Sequence, residues 1–153
     1  MAGEITRAEP EAAAFVEAFD AGWRAGGPAE RFLAHFLPLT QADVLLTQPL
    51  SPPVRGHEGM RRQFQALFAA VPDLHAEVFR WGPTPDGALI EFTFKCTFGG
   101  RPFRWDACDG VVLRDGLLAE RHSYFDPLPL LRPVVSRPRA ALRLLPLLRK
   151  ERR

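Results

Sequence analysis

Two periodicities divide the chain: up to Val71 the apolar residues recur at helical spacing, and after Pro72 they alternate. In the stretch EAAAFVEAFDAGW after Pro10, the residues Phe15, Phe19 and Trp23 fall four apart with Val16 beside them. That spacing puts one apolar stripe on a helix and predicts that it opens at Pro10, where a missing backbone donor costs little. Gly26, Gly27 and Pro28 end it, and Phe32, Leu33 and Phe36 predict a shorter helix before Pro38. Asp43 to Gln48 (DVLLTQ) reads as a short strand closed by Pro49, Pro52 and Pro53. From His57 to Val71 the period of 3.6 returns, with Met60, Phe64, Leu67, Phe68 and Val71 on the stripe and Arg61, Arg62, Gln63 and Gln65 off it.

Beyond Pro72, Leu74 to Trp81 alternates, PTPDG makes a turn, and Ala88 to Phe98 alternates strongly. Ile90, Phe92, Phe94, Cys96 and Phe98 share one face, and Glu91, Thr93, Lys95 and Thr97 the other. Gly99-Gly100 turns the chain into Pro102 to Leu113, and Asp115-Gly116 turns it into Leu117 to Asp126. Three helices with one early strand, then an antiparallel meander of four, form an α+β plan with helices on one side of a curved sheet. If the Gly-Gly turn sets the register, Phe98 lies near Phe103 and Cys96 faces the region of Arg104 and Trp105, well short of Cys108. Both thiols are then read as small buried hydrophobes and not as a disulfide.

The 153 residues suit one domain, and 46% hydrophobic residues with 12 Phe exclude disorder as the main state. A formal charge of +2 hides an asymmetry. Beyond Asp126 stand eight basic residues (Arg132, Arg137, Arg139, Arg143, Arg149, Lys150, Arg152 and Arg153) against Glu151 alone, so this tail carries +7 and residues 1 to 126 carry −5. Two cysteines are too few for a disulfide scaffold and lack zinc-site spacing. No basic-then-apolar leader pattern opens the chain, and no run of about 18 apolar residues is present, so a soluble cytoplasmic domain is the expectation.

Certain landmarks carry a resemblance. They are Gln48-Pro49, the run Pro52-Pro53-Val54-Arg55-Gly56-His57-Glu58-Gly59-Met60, Asp115-Gly116-Leu117-Leu118, and Tyr124-Phe125-Asp126. In this order of elements, over about residues 8 to 127, the chain resembles the SnoaL-like branch of the nuclear transport factor 2-like superfamily, which includes limonene epoxide hydrolase and ketosteroid isomerase. The resemblance implies a cone-shaped half-barrel, a curved antiparallel sheet with three N-terminal helices closing an apolar pocket, over residues 1–127, followed by a basic Pro/Leu/Arg-rich tail, 128–153. It also implies a small apolar ligand, a homodimer and acid-base chemistry of cyclase, isomerase or hydrolase type. No cofactor is expected, since phosphate loops, nucleophile elbows and Cys/His pairs are missing. The alternative is a noncatalytic ligand-binding or dimeric module of the same fold.

The candidate chemistry follows from residue type. Gln48 stands where ketosteroid isomerase carries a carboxylate base; an amide orients or polarises but takes no proton at neutral pH. The other reading of Gln48 is a surface cap of a strand end. Asp106 and Asp109 are three apart, hence on opposite faces of a regular strand, so at most one faces a cavity. By resemblance Asp109 falls near the protonated acid of the isomerase, and in an apolar pocket a carboxyl rises in pKa and becomes a donor. Otherwise either acid would pair with Lys95, Arg104 or Arg121. On the last strand, alternation puts Arg121, Ser123 and Phe125 on one face and His122, Tyr124 and Asp126 on the other. Ser123 replaces an acid that epoxide hydrolases of the limonene type require, and Glu91 and Thr93 stand where their Arg-x-Asp would align, so their triad is not reproduced.

His122 is a candidate acid or base, though a lone strand histidine is more often structural. Tyr124, Trp23 and Trp105 are candidate pocket-lining residues, or plain core. His35, His57 and His75 are scattered and predict no metal site, His57 being read as a solvated residue at a helix start. Five prolines break the tail, and a short helix from about Arg139 would gather Leu142 and Leu145. Docking of its leucines on the domain or a second subunit is favoured over an anionic membrane surface, and nucleic acid is disfavoured by the acidic body.

Overall fold

The computed structural model describes residues 2–130 and Leu142. Helix α1 (Ala2–Ala25) starts earlier than the expected position, because Pro10 is accommodated inside it at the loss of one intrahelical hydrogen bond. It ends at Gly26, whose φ of +60° is open to glycine and whose N–H bonds the carbonyl of Gly22 at 3.1 Å. A side chain there would also come within 2.7 Å of the Leu74 carbonyl oxygen. Helix α2 (Ala29–Phe36) buries Phe32, Leu33 and Phe36, the stripe its sequence shows, and a single 3-10 turn (Leu37–Leu39) leads into strand β1 (Thr40–Thr47). A two-residue strand, β2 (Val54–Arg55), is too short to leave a sequence pattern. Helix α3 (Gly56–Ala70) turns Gly59, Met60, Phe64 and Phe68 inward.

Four strands complete the chain: β3 (His75–Thr84), β4 (Gly87–Phe98), β5 (Arg101–Arg114) and β6 (Leu117–Tyr124). The sheet order is β2-β1-β6-β5-β4-β3, antiparallel throughout except that β1 runs parallel to β6. That one parallel contact was not foreseen, and it joins the early strand to the end of the meander. The β4–β5 turn sets Phe98 against Arg101 and Cys96 against Phe103, two residues tighter than the register expected from Phe98 beside Phe103. Cys96 and Cys108 are both free, and burial pushes the Cys96 thiol up to about 11.

The curved, unclosed sheet and the three helices that pack on it form the α+β cone expected from the sequence. Its interior is an aromatic interlock. Phe32 on α2 contacts Trp23, Phe36, Phe64 and Phe68 at ring-centre distances of 4.7, 4.4, 4.7 and 5.1 Å. Trp23 and Phe19 of α1 in turn meet β4, Trp23 on Phe94 at 5.1 Å and Phe19 on Phe92 at 5.4 Å. From residue 131 on, apart from Leu142, the tail lies outside the described residues, including the helix expected near Arg139.

Because Phe32 ties all three helices together at 2% exposure, Phe32→Ala leaves a void that the surrounding rings close only in part. The expected loss is about 3–5 kcal/mol in urea unfolding; a loss below about 1 kcal/mol would show that the interlock carries little of the fold.

Candidate functional site

Strand registers define rows of side chains on the concave face. One row runs Ser123, Asp109, Ile90; the next runs Leu46, Arg121, Val111, Ala88; on the opposite side lies the row Ala107, Phe92, Val78. Asp109 is therefore set among aliphatic and aromatic neighbours on every side but that of β6. At 1% exposure it is among the most completely buried side chains of the protein. Arg121 (6% exposed) and Ser123 (7%) are its polar neighbours.

The polar contacts are sparse. Arg121 Nε stands 3.8 Å from Asp109 Oδ2, too far for a hydrogen bond, while Arg121 Nη2 donates to Gln48 Oε1 at 2.9 Å. The guanidinium carbon also lies 5.9 Å from the centre of the Phe64 ring. Among the described residues neither Asp109 oxygen nor Arg121 Nε has a protein hydrogen-bond partner within bonding distance. Burial accordingly pushes the Asp109 carboxyl above its ordinary range; Arg121 foremost, then the Ser123 hydroxyl and His122, draw it back only in part. What results is a carboxyl whose hold on its proton is strengthened by burial, beside a cation anchored just past the end of β1. Such a group donates a proton or a hydrogen bond.

The remaining residues singled out from the sequence separate by face. Asp106 points to the convex side and accepts a hydrogen bond from Thr93 Oγ1 at 2.6 Å, as alternation requires of a residue three from Asp109. His122 and Tyr124 also lie on the convex side, their rings stacked at 4.4 Å and 23°, with Tyr124 55% exposed. Neither side chain shares a surface with Asp109, because both alternate with Arg121 and Ser123 along β6. Trp23 is 3% exposed within the aromatic interlock. Trp105 lies on the concave face, against Phe94 at 4.8 Å and Phe103 at 5.5 Å, with its buried Nε1 lacking a protein partner among the described residues. Gln48 is a partner of a buried arginine and not a surface cap. His57 is tied by Nε2 to Thr40 Oγ1 at 3.0 Å, half-buried, in place of the solvated position expected.

In the sequence Arg121 stands only as an ion-pair partner for Asp106 or Asp109. A regular hairpin from the two-residue Asp115-Gly116 turn would set His122 across from Asp109; the register shift between Val112 and Leu113 sets Ser123 there and brings the Arg121–Ser123 face of β6 beside the inward face of β5. Two cavities of about 430 and 280 Å³ lie elsewhere, where the end of α1 and the start of α2 meet the end of α3 and the start of β3; Gly27 and Pro72 line both, and neither reaches Asp109.

Residues 12–121 match the family model of the SnoaL-like domain, and the chain belongs to that family. Solved structures share the fold. A SnoaL-like polyketide cyclase from Jannaschia sp. CCS1 superposes with a TM-score of 0.69 at 17% identity, covering 82% of this chain and 92% of its own. An LEH-like epoxide hydrolase from M. tuberculosis gives 0.66 at 17% identity, covering 87% and 96%. A protein of ketosteroid isomerase-like fold from Catenulispora acidiphila, in complex with trimethylamine, gives 0.66 at 17%, covering 78% and 90%. No curated protein sequence matches the chain.

The raised carboxyl of Asp109 has a signed consequence. Between the unfolded pKa of about 3.9 and the higher folded value, the native state holds the extra proton, so wild-type stability falls as pH rises through that window. Asp109→Asn removes that dependence. The melting temperature of the variant relative to wild type is expected to climb from pH 4 upward and then level off, by about 2–4 °C for each kcal/mol. A difference that is flat or falls with pH would contradict the assignment.

Proposed function

We propose that the chain is a cofactor-independent acid-base enzyme acting on a small apolar molecule, with Asp109 as the proton donor. The observation that carries this reading is a fully buried carboxyl, without a protein hydrogen bond, 3.8 Å from a cation that has its own separate anchor. Buried polar groups are ordinarily paired, and an unpaired acid whose pKa is raised by burial on the concave face of such a fold is a candidate for function. Protonated Asp109 donates to an oxygen of the substrate, a carbonyl or an epoxide, as negative charge builds there. The carboxylate left behind faces Arg121, whose charge offsets it, and takes the proton back when the product oxygen or carbon releases it. Gln48 keeps the guanidinium from collapsing onto the carboxylate and quenching the acid; Ser123, directly across from Asp109, steadies the ionised form. No second carboxylate shares this face with Asp109 on β5 or β6, so the reactions favoured are isomerisation, ring closure or ring opening served by one acid-base group.

A second reading, a noncatalytic module of the same fold, is supported by the aromatic side chains that fill the concave face and by cavities that lie away from Asp109. A panel of enones, apolar ketones and epoxides discriminates the two. Turnover of any member by wild type, reduced about 10²–10⁴-fold in folded Asp109→Asn, is the outcome expected of a general acid. Turnover unchanged in the variant would remove Asp109 from the chemistry, and no turnover across the panel would favour the module.

A further inference from the structure

We propose that the segment from Gln48 to Pro53, which joins β1 to β2, is the gate through which a ligand reaches Asp109, with Leu50 as its hinge. The proposal rests on the reading of Asp109 as an acid that a ligand must reach, for in this structure the carboxyl is shut in. Asp109 is 1% exposed, and neither cavity extends to it. On the helix side the rings of Phe19, Trp23, Phe92 and Phe94 interlock. Those rings also hold the helices to the sheet, so an opening there would cost the packing on which the fold depends. The β6 side is bounded differently. Parallel pairing sets Thr47 beside His122, which brings the next residue, Gln48, abreast of Ser123, and Ser123 stands directly across from Asp109. The segment therefore starts in the row of the carboxyl, with only β6 between them.

Its attachments are few. Among the described residues, no backbone–backbone hydrogen bond of ordinary geometry ties Gln48 to Pro53 in place, and Pro49, Pro52 and Pro53 have no N–H to offer. The side-chain hydrogen bonds are that of Gln48 with Arg121 at 2.9 Å and that of Ser51 Oγ with the adjacent Pro52 carbonyl at 3.5 Å. Leu50 has a φ of +67° and is 51% exposed. With Pro49 before it, Leu50 holds the third position of a type II turn, where glycine or asparagine fits and leucine is strained. Exposure of its side chain means that little burial offsets this strain. Backbone strain of this kind gathers at segments that switch, and it is relieved when Leu50 returns to a negative φ. That change swings the segment away from the Asp109 row while β1 and β2 stay paired at Leu45–Arg55 and Leu46–Val54.

Thiol labelling of the whole chain reads access to that row. Ser123→Cys combined with Cys108→Ser leaves two thiols at positions of nearly equal burial, Ser123 being 7% exposed and Cys96 8%. The first adjoins the gate, and Cys96 pairs with Phe103 near the β4–β5 turn. Modification by methyl methanethiosulfonate is followed by mass at each site, so that each thiol is its own reference. Leu50→Pro fixes φ at about −65° and forbids the closed turn; it is expected to speed modification at position 123 about three- to tenfold. Leu50→Asn accepts a left-handed φ and is expected to slow it about two- to fivefold. Cys96 should keep its rate in both, since a general loosening would speed the two thiols together. Unchanged rates at position 123, or changes shared by Cys96, would overturn the gate. If Leu50→Pro does not fold, Leu50→Asn decides: slowing confined to position 123 upholds the gate, and any other result overturns it. Turnover of the enone, ketone and epoxide panel is read separately. No turnover with the expected labelling removes the acid and leaves the gate, whereas turnover with failed labelling removes the gate alone.

Discussion

The contact between the helices and β4 governs the rest of the protein, because the rings of Phe19 and Trp23 on Phe92 and Phe94 close off the concave face from water. Without that closure Asp109 would be an ordinary surface acid on a strand. With it, a carboxyl sits where its charged form is costly, and all the distinctive chemistry of the molecule follows from that cost. The same rings fix the helices: Phe32 joins α2 to α1 and α3, so packing and dehydration are one structural fact.

Arg121 is not close enough to reverse the balance. At 3.8 Å and an effective dielectric of about 20, two unit charges attract by about 4 kcal/mol, while burying each ion costs several. An ion pair in this position therefore fails to repay the burial of both members unless hydrogen bonds join them, and here the nearest guanidinium nitrogen is beyond bonding distance. Gln48 explains the gap: its amide oxygen accepts a hydrogen bond from Arg121 Nη2 and holds the guanidinium toward the end of β1. Phe64 supplies an aromatic ring on the helix side, so the cation is stabilised by groups other than the acid. A closer, bidentate pair would have drawn the carboxyl down and left a structural salt bridge.

Much of this was legible in the sequence because the meander is short-range. Alternation sorts Asp106 from Asp109 and Arg121 from His122, and the two periodicities with their Gly and Pro breaks set out the order of elements. What alternation does not show is which face of β6 is concave, because the register shift between Val112 and Leu113 carries no sequence signal; His122 and Tyr124 therefore stand as candidates in the sequence while Arg121 reads only as an ion-pair partner. The junction of Gln48 with Arg121 spans 73 residues and depends on the parallel pairing of β1 with β6, which sets Leu46 beside Arg121 and Thr47 beside His122. Parallel neighbours share no turn, so no local signal announces them. The early start of α1 was hidden for a different reason: a proline near a helix end reads as a start signal, and only packing decides whether the helix continues through it.

The departures from the family's catalytic patterns then take on a positive sense. A carboxylate at position 48 would pair with Arg121 and take up its charge, leaving an ionised Asp109 without an offsetting cation. An amide at that position holds the arginine without competing for its charge. Ser123, in place of a second acid across from Asp109, avoids a like-charge neighbour while still offering a hydroxyl to the ionised form. With Gln48 and Ser123 at these positions one buried carboxyl is left on this part of the face, and burial raises its pKa. The concave face thus carries one buried carboxyl beside a cation that is anchored elsewhere, and that separation is what the amide at position 48 maintains.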